Sequence, residues 1–290
     1  MAKVMKMHLD CPSCFIKQAV RTGRLLECSN TRLWQMVKGC GQVLANVNED
    51  WSPPQNAVAL YEMIARVTGK DDPFYNLKKE STRQALELYP ELKERISRCS
   101  DRLEAAIRYA ACGNVIDYGI SSDFNILDEI DKALTTRFSL WEYSLFKKRL
   151  RQADWILYLG DNCGETVFDR LLIEELKVPV TYVVRGGPII NDVTMEDAVD
   201  AGLDKVAKLV SSGCKAPGTI LEWCSDEFRA LYESAPIIIS KGQGNFETLS
   251  HEEREIFFIF KIKCDVVARF LDHPLNTMVF GRSPRYPNRN

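Results

Sequence analysis

The spacing of apolar and polar positions divides the chain into two stretches with different rhythms. From about residue 12 to 150 the period is helical. "CFIKQAVRTGRLLE" places Phe15, Ala19 and Leu25 on one apolar stripe, and "NTRLWQMVKGCGQVLANV" repeats the pattern after an Asn-Thr start. "SPPQNAVALYEMIARVTG" has Ser and two Pro at its head and Gly69 at its tail, the start and stop signals of a helix. Residues 72–114 continue with helical period and predict a break near Pro90. No alternating strand pattern is visible in this half.

From about 154 short apolar runs take over: "WILYLG", "VPVTYVVRG", "AKLVSS", "PIIIS" and "EIFFIFKIK". Between and after them stand helical patterns, among them 165–176, "TMEDAVDAG", "SDEFRALYES" and "CDVVARFL". Strands in alternation with helices predict a mainly parallel sheet covered on both faces. The expected fold class is therefore α/β, with a helical domain over 1–115 and an α/β domain over 116–290. The first part of the latter, to about 153, would be a helical connection.

Parallel sheets bind ligands beyond the carboxyl ends of their strands. The chemistry-bearing residues of this sequence follow its strands directly. Asp161, Asn162 and Glu165 come after the first, and Arg185, Gly186, Gly187, Asn191 and Asp192 after the second. Ser211, Ser212 and Gly213 belong to the third. Lys241, Gly242, Gln243, Gly244 and Asn245 come after the fourth, and Lys263 closes the fifth. In any single loop Asp, Asn and Gly are ordinary turn and cap residues, and Asp192 could cap the helix after it. Their gathering on one edge favours a functional reading.

That edge offers hard oxygen ligands, and none of the three His residues lies in these loops. Such a donor set suits Mg²⁺ or Mn²⁺ far better than Zn²⁺. "RGGP" and "KGQGN" can bring backbone N–H groups close to an anion, with Lys241 and Lys263 supplying charge. The combination points to metal-dependent phosphoryl chemistry. Neither loop is a nucleotide fingerprint: the Lys of "KGQGN" precedes its glycines, and "RGGP" is not GxGxxG.

Composition excludes several other classes. The 290 residues carry a net charge of −2 without a basic block, which argues against nucleic acid as a partner. The short run "FKKRLR" (146–151) reads as a solvated helix face. "EIFFIFKIK" is too short and too charged to span a bilayer, and the N-terminus has no secretory apolar stretch. A cytoplasmic location is expected. The ten Cys are scattered in a chain of ordinary size, so free, packed thiols are expected rather than a disulfide framework.

Five separated segments, "CGNVIDYG", "GDNCGETVFDRLLIEEL", "RGGPIINDVTMEDA", "SKGQGNFE" and "KIKCDVVA", together resemble the DUF89 family of damage-control phosphatases. The N-terminal CxxC resembles that of its subfamily I, of archaeal and bacterial type. The resemblance covers nearly the whole chain. It implies a helical N-terminal domain, a three-layer α/β/α Rossmann-like domain and one divalent metal, with Co²⁺ and Ni²⁺ as further candidates beside Mg²⁺ and Mn²⁺. By motif, Asp161 and Asn162 match the family's Asp-Asn metal pair and Asp192 its third ligand. Glu165 lies near the family's substrate-contacting acid, and "KGQGN" matches the substrate loop. Lys263 matches the last residue of an Arg-Thr-x-Lys motif of the eukaryotic sugar-phosphatase branch, which here reads "FKIK".

The function expected is a divalent-metal-dependent phosphatase acting on a small phosphorylated metabolite. Asp161, Asp192 and Lys263 are the catalytic candidates. Arg185, Lys241, Gly242, Gly244, Asn245 and Glu165 are substrate-binding candidates, joined by Asn114 and Asp117 from the helical side. Either Asp161 attacks phosphorus or Asp192 orients a water; the water is favoured, because a carboxylate held by a metal is a poorer nucleophile. Asp169 and Asp197 read as structural, and Cys163 as packing. For Cys11 and Cys14 packed thiols are expected, against a zinc site completed from His8, Cys28 and Cys40 or a redox pair. The rival function is a non-catalytic protein that holds a metal or phosphorylated ligand and takes redox or zinc input through CxxC.

Overall fold

The computed structural model describes residues 5–113 and 126–284. Three helices come first: α1 (Cys11–Leu25), α2 (Asn30–Ala45) and α3 (Pro53–Thr68). They close on a core of their own that includes Phe15, Ala19, Met36, Cys40, Leu60 and Ile64. Leu25 is only half-buried; the α1 stripe passes instead through Thr22 and Gly23. α3 begins with a capping box between Ser52 and Gln55 and ends at Gly69, whose φ of +71° suits a residue without Cβ.

α4 (Tyr75–Ser97) and α5 (Arg102–Cys112) follow. The break expected at Pro90 does not occur: α4 runs through it for 23 residues. Proline removes one N–H from the ladder, and the burial of Ala85, Leu92 and Ile96 on either side holds the helix together across the gap. These two helices pack on the sheet rather than on α1–α3. Ala85, Leu92, Ala106 and Ile107 share one core with Tyr158, Tyr182, Ile239 and Phe280 of the strands. Among the described residues the helical stretch is thus divided by packing: α4 and α5 share the core of the sheet, and α1–α3 form another that Ile189 also joins.

After α6 (Ile126–Leu134), β1 (Phe138–Trp141) and α7 (Tyr143–Leu150), the α/β repeat begins. It comprises β2 (Ile156–Leu159), α8 (Thr166–Leu176), β3 (Val180–Val184), α9 (Met195–Asp200) and β4 (Lys208–Ser211). It continues with α10 (Asp226–Ser234), β5 (Ile238–Lys241), α11 (Gln243–Leu249), β6 (Ile256–Lys261), α12 (Asp265–Leu271) and β7 (Met278–Arg282). The strands form one seven-stranded sheet in the order β1-β7-β6-β5-β2-β3-β4. Pairing is parallel except between β6 and β7. Alternate residues serve opposite faces. Ile156, Tyr158, Tyr182 and Ile239 join the core under α4, α5 and α8, while Leu157, Leu159, Ile238 and Phe258 join the one under α10, α11 and α12. This is the expected three-layer α/β/α arrangement.

Two strands are not foreseen by the sequence pattern. "FSLW" of β1 has four half-buried residues at the sheet edge, too few to show a period, and it lies in the stretch read as helical. β7 follows α12 yet pairs antiparallel with β6, so the strand–helix alternation that predicts parallel strands does not announce it. The topology has a functional consequence. β2 hands the chain to β3 and β4 on one side, and β5 returns to its other side. The crevice between β2 and β5 is therefore a topological switch point, where open α/β sheets hold ligands. Among the described residues no helix is long and apolar enough to cross a membrane.

A buried ion pair joins the helical part to the sheet. Lys78 of α4 donates to Asp197 of α9 at 2.9 Å and lies 2.7 Å from Asp72. Asp197 also accepts from the Thr194 N–H and hydroxyl, the structural role expected of it. Lys78→Met should leave Asp197 charged and unpaired in the interior, lowering stability by about 3–5 kcal/mol in urea unfolding. Arg83→Met, which removes only exposed pairs with Glu80 and Glu87, should change it little.

Candidate active site

Three chain segments meet at the carboxyl ends of β2, β3 and β5. The segments after β2 and β3 are zipped together by their backbones. Val193 N donates to Asp161 O at 2.8 Å, Cys163 N to Asn191 O at 2.9 Å, and Asn162 and Asp192 form an antiparallel bridge. Ile190 is held at φ +44°, an uncommon conformation for a β-branched residue, immediately before Asn191 and Asp192. Asp161, Asn162 and Asp192, remote in sequence, thereby become neighbours, all three buried. Asp192 does not cap α9 as it could have done; Thr194 takes that place.

The guanidinium of Arg185 is enclosed among them. Its Nε donates to Asp192 Oδ2 at 2.7 Å and its Nη2 lies 3.4 Å from Asp161 Oδ1. Its Nη1 donates to Asn245 Oδ1 at 3.1 Å and to Thr219 Oγ1 at 3.3 Å. Asn245 in turn donates to the carbonyls of Gly160, at 3.1 Å, and Lys241, at 2.7 Å, while Thr219 donates to its Oδ1 at 2.9 Å. The amide has both hydrogens and both lone pairs committed. Arg185 and Asn245 were expected to meet substrate. In the structure their hydrogen bonds tie the ends of β2, β3 and β5 to one another.

Lys241 and Glu165 likewise have partners inside the protein. The Lys241 ammonium lies inside the protein, 2.7 Å from both Glu165 Oε2 and Asp169 Oδ1. Glu165 Oε1 accepts from Asn162 Nδ2 at 2.9 Å, which orients that amide. Asp169 accepts from the hydroxyls of Tyr158, at 2.7 Å, and Tyr182, at 2.9 Å. Asp169 has the structural role expected. The charge expected from Lys241 is neutralised internally, because burying an ammonium requires a partner. Asn114 and Asp117 lie outside the described residues.

Gly242 and Gly244 make the fourth loop close-fitting. Gly242 stands at φ +82°, and a Cβ there would lie 2.0 Å from Asp161 Oδ2. A Cβ on Gly244 would lie 2.1 Å from the Pro217 carbonyl. Beyond this loop Lys263 donates its backbone N–H to Gln243 Oε1 at 2.8 Å, and its charge is near enough to favour ionised Asp161. Burial holds the Asp161 carboxyl well above the usual range, reinforced by the charges of Asp192 and Glu165 and opposed by Arg185 and Lys263. Burial raises Asp192 as well, against the pull of Arg185. Two crowded, desolvated carboxylates and one oriented amide form a hard oxygen donor set that a divalent cation would relieve. The donors fit a hard divalent cation.

The matching family model, described as the damage-control phosphatase ARMT1-like domain, spans residues 7–279. The chain belongs to this family. It is 32% identical over 286 residues to a damage-control phosphatase of Pyrococcus horikoshii, covering 96% of this chain and 99% of that one. It is 31% identical to a damage-control phosphatase of Archaeoglobus fulgidus, with 95% and 98% covered. The crystal structure of a DUF89 family protein from Pyrococcus horikoshii superimposes with a TM-score of 0.87 at 33% identity, over 96% of this chain and 99% of that one. A phosphatase role follows from membership of this ARMT1-like family.

The amino-terminal cysteines do not gather as a zinc site would require. Among the described residues no group of three or more His, Cys, Asp or Glu side chains is arranged to hold a metal, which disfavours completion from His8, Cys28 and Cys40. Cys11 is buried, Cys14 exposed, and all ten Cys are free thiols. Sequence reasoning passed over Thr219 and Tyr158. Their roles depend on contacts 26 and 11 residues away in the chain, which no local pattern encodes.

Gly242→Ala should displace the Asp161 side chain and strain the loop. A loss of about 1–3 kcal/mol in thermal unfolding is expected, with Asp161 rotated in the variant's crystal structure. Gly41→Ala, on α2 where a Cβ meets nothing within 4 Å, should instead raise stability slightly.

Proposed function

We propose that this protein is a divalent-metal-dependent phosphomonoesterase that removes phosphate from a small metabolite in the cytoplasm. The observation that carries the reading is the convergence of Asp161, Asn162 and Asp192 at the switch point of the sheet, beside the Gly242 loop and Lys263. Family membership supports the hydrolytic class. The oxygen-only donors support Mg²⁺ or Mn²⁺ as the working ion, with Co²⁺ and Ni²⁺ as substitutes.

Asp161, Asn162 and Asp192 would hold the ion, which supplies Lewis-acid polarisation of a phosphate oxygen and a template for it. The protein's own residues do the rest. Arg185 fixes the two carboxylates, and Glu165 fixes the Asn162 amide, so none of these donors must reorganise during the reaction. Lys263 neutralises a non-bridging phosphate oxygen, helped by the N–H groups of Gln243 and Gly244 in the first turn of α11. Asp192, gripped by Arg185 through one oxygen, orients the attacking water through the other. The water oxygen bonds to phosphorus, the bond from phosphorus to the ester oxygen breaks, and the proton given up by the water passes to the departing alkoxide.

Aryl phosphate hydrolysis should require added Mg²⁺ or Mn²⁺ and stop in EDTA. Asp161→Ala should lower it by about 100-fold or more with the fold retained by circular dichroism. Near-normal turnover in that variant with metal still bound would contradict the assignment. Lys263→Met should cost roughly 10- to 150-fold in kcat/KM, the value of one charge-assisted hydrogen bond, with metal affinity unchanged. Acid-quenched protein should carry no phosphoryl group; a trapped aspartyl phosphate would transfer the attack to Asp161.

A further inference from the structure

A cavity of about 1270 Å³ opens between α1 and the end of β6. That is more than a small phosphate ester needs, since sites for drug-sized ligands usually occupy some 300–1,000 Å³. Its walls come from two elements with regular spacing. On α1, Lys17 and Arg21 stand four residues apart and so on one helical face. At the end of β6, Lys261 and Lys263 stand two residues apart along nearly extended chain. Both sets line the same cavity, so cations face it from the helical unit and from the sheet.

The acidic residues of the walls offset this little. Asp10 is held by Arg269 at 2.6 Å. Glu247 is buried and accepts from Gln243 Nε2 at 2.7 Å. Asp265, at the start of α12, is the remaining acid of the lining. One phosphate at the switch point requires Lys263 alone from these four cations. Lys17 and Lys261 would meet anything extending from that phosphate toward α1.

We propose that the substrate carries a second anionic group, a phosphate or carboxylate set apart from the scissile phosphate, and that Lys17 and Lys261 recognise it, with Arg21 beside them. The inference rests on the phosphatase reading and deepens it by naming the substrate class. Lys17 and Lys261 act as specificity residues. They hold the far end of the substrate and take no part in cleaving the near end. An excess of cations over acids in the lining further concentrates polyanions near its mouth.

The test uses the full chain with Mg²⁺ and hydrolysis-resistant probes: a series of alkane bisphosphonates against an alkyl monophosphonate, titrated by calorimetry. The best-fitting bisphosphonate should bind at least about 10-fold more tightly than the monophosphonate, on the scale of one charge-assisted contact. The preference should shrink as salt rises. It should vanish in the double variant Lys17→Met, Lys261→Met and return in Lys17→Arg, Lys261→Arg. Equal affinity for the two probes in the wild type, or a preference that survives in the Met variant, overturns the proposal. Aryl phosphate turnover is measured in parallel. A bisphosphonate preference without any turnover would sustain the two-anion site and refute the phosphatase reading instead.

Discussion

The buried guanidinium of Arg185 is the interaction on which the site depends. Bringing Asp161 and Asp192 together in the interior is costly, because each raises the energy of the other's charge. Arg185 offsets that repulsion while leaving the two carboxylates side by side. Through Asn245 and Thr219 the same group reaches the ends of β2 and β5. The backbone zipper between residues 161–163 and 191–193 fixes the spacing from the other direction. A second buried cation, Lys241, performs the parallel task for Glu165 and Asp169. The site is thus built before any ligand arrives, as electrostatic preorganisation requires.

The fold puts these residues where they can act. Because β5 returns beside β2, the loops after both strands flank one crevice. The helical unit α1–α3 packs around a core that Ile189 joins and supplies one wall of the cavity beside Gln243, Gly244 and Lys263. α4 and α5 instead complete the layer on one face of the sheet. The chain therefore divides by packing into a sheet with its covering helices and a three-helix cap. A substrate between them would contact both.

Much of this was legible in the sequence. The five parallel strands announced themselves as β-branched and aromatic runs, and the rule that ligands sit at carboxyl ends located Asp161, Asn162, Asp192 and Gly242 on one edge. The capping signals of α3 were equally direct. What stayed hidden depends on tertiary contact. The edge strand β1 is too short for a period, and β7 follows a helix but runs antiparallel to β6. The continuation of α4 through Pro90 reflects packing, which outweighed a local breaker. Most instructive are Arg185, Lys241 and Asn245. Sequence identifies polar residues at the carboxyl edge of the sheet but not their orientation, and these three turn inward to neutralise and tie together the buried groups gathered there.

The central claim is that Asp161, Asn162 and Asp192 form a single hard-cation site with a phosphate pocket beside it. Anomalous diffraction from a crystal grown with Mn²⁺ and orthophosphate tests this most directly. One Mn²⁺ should appear within about 2.1–2.3 Å of an oxygen from each of the three side chains, with phosphate between the ion and Lys263. An ion elsewhere, or a phosphate bound away from the Gly242 loop with this crevice empty, would contradict the account.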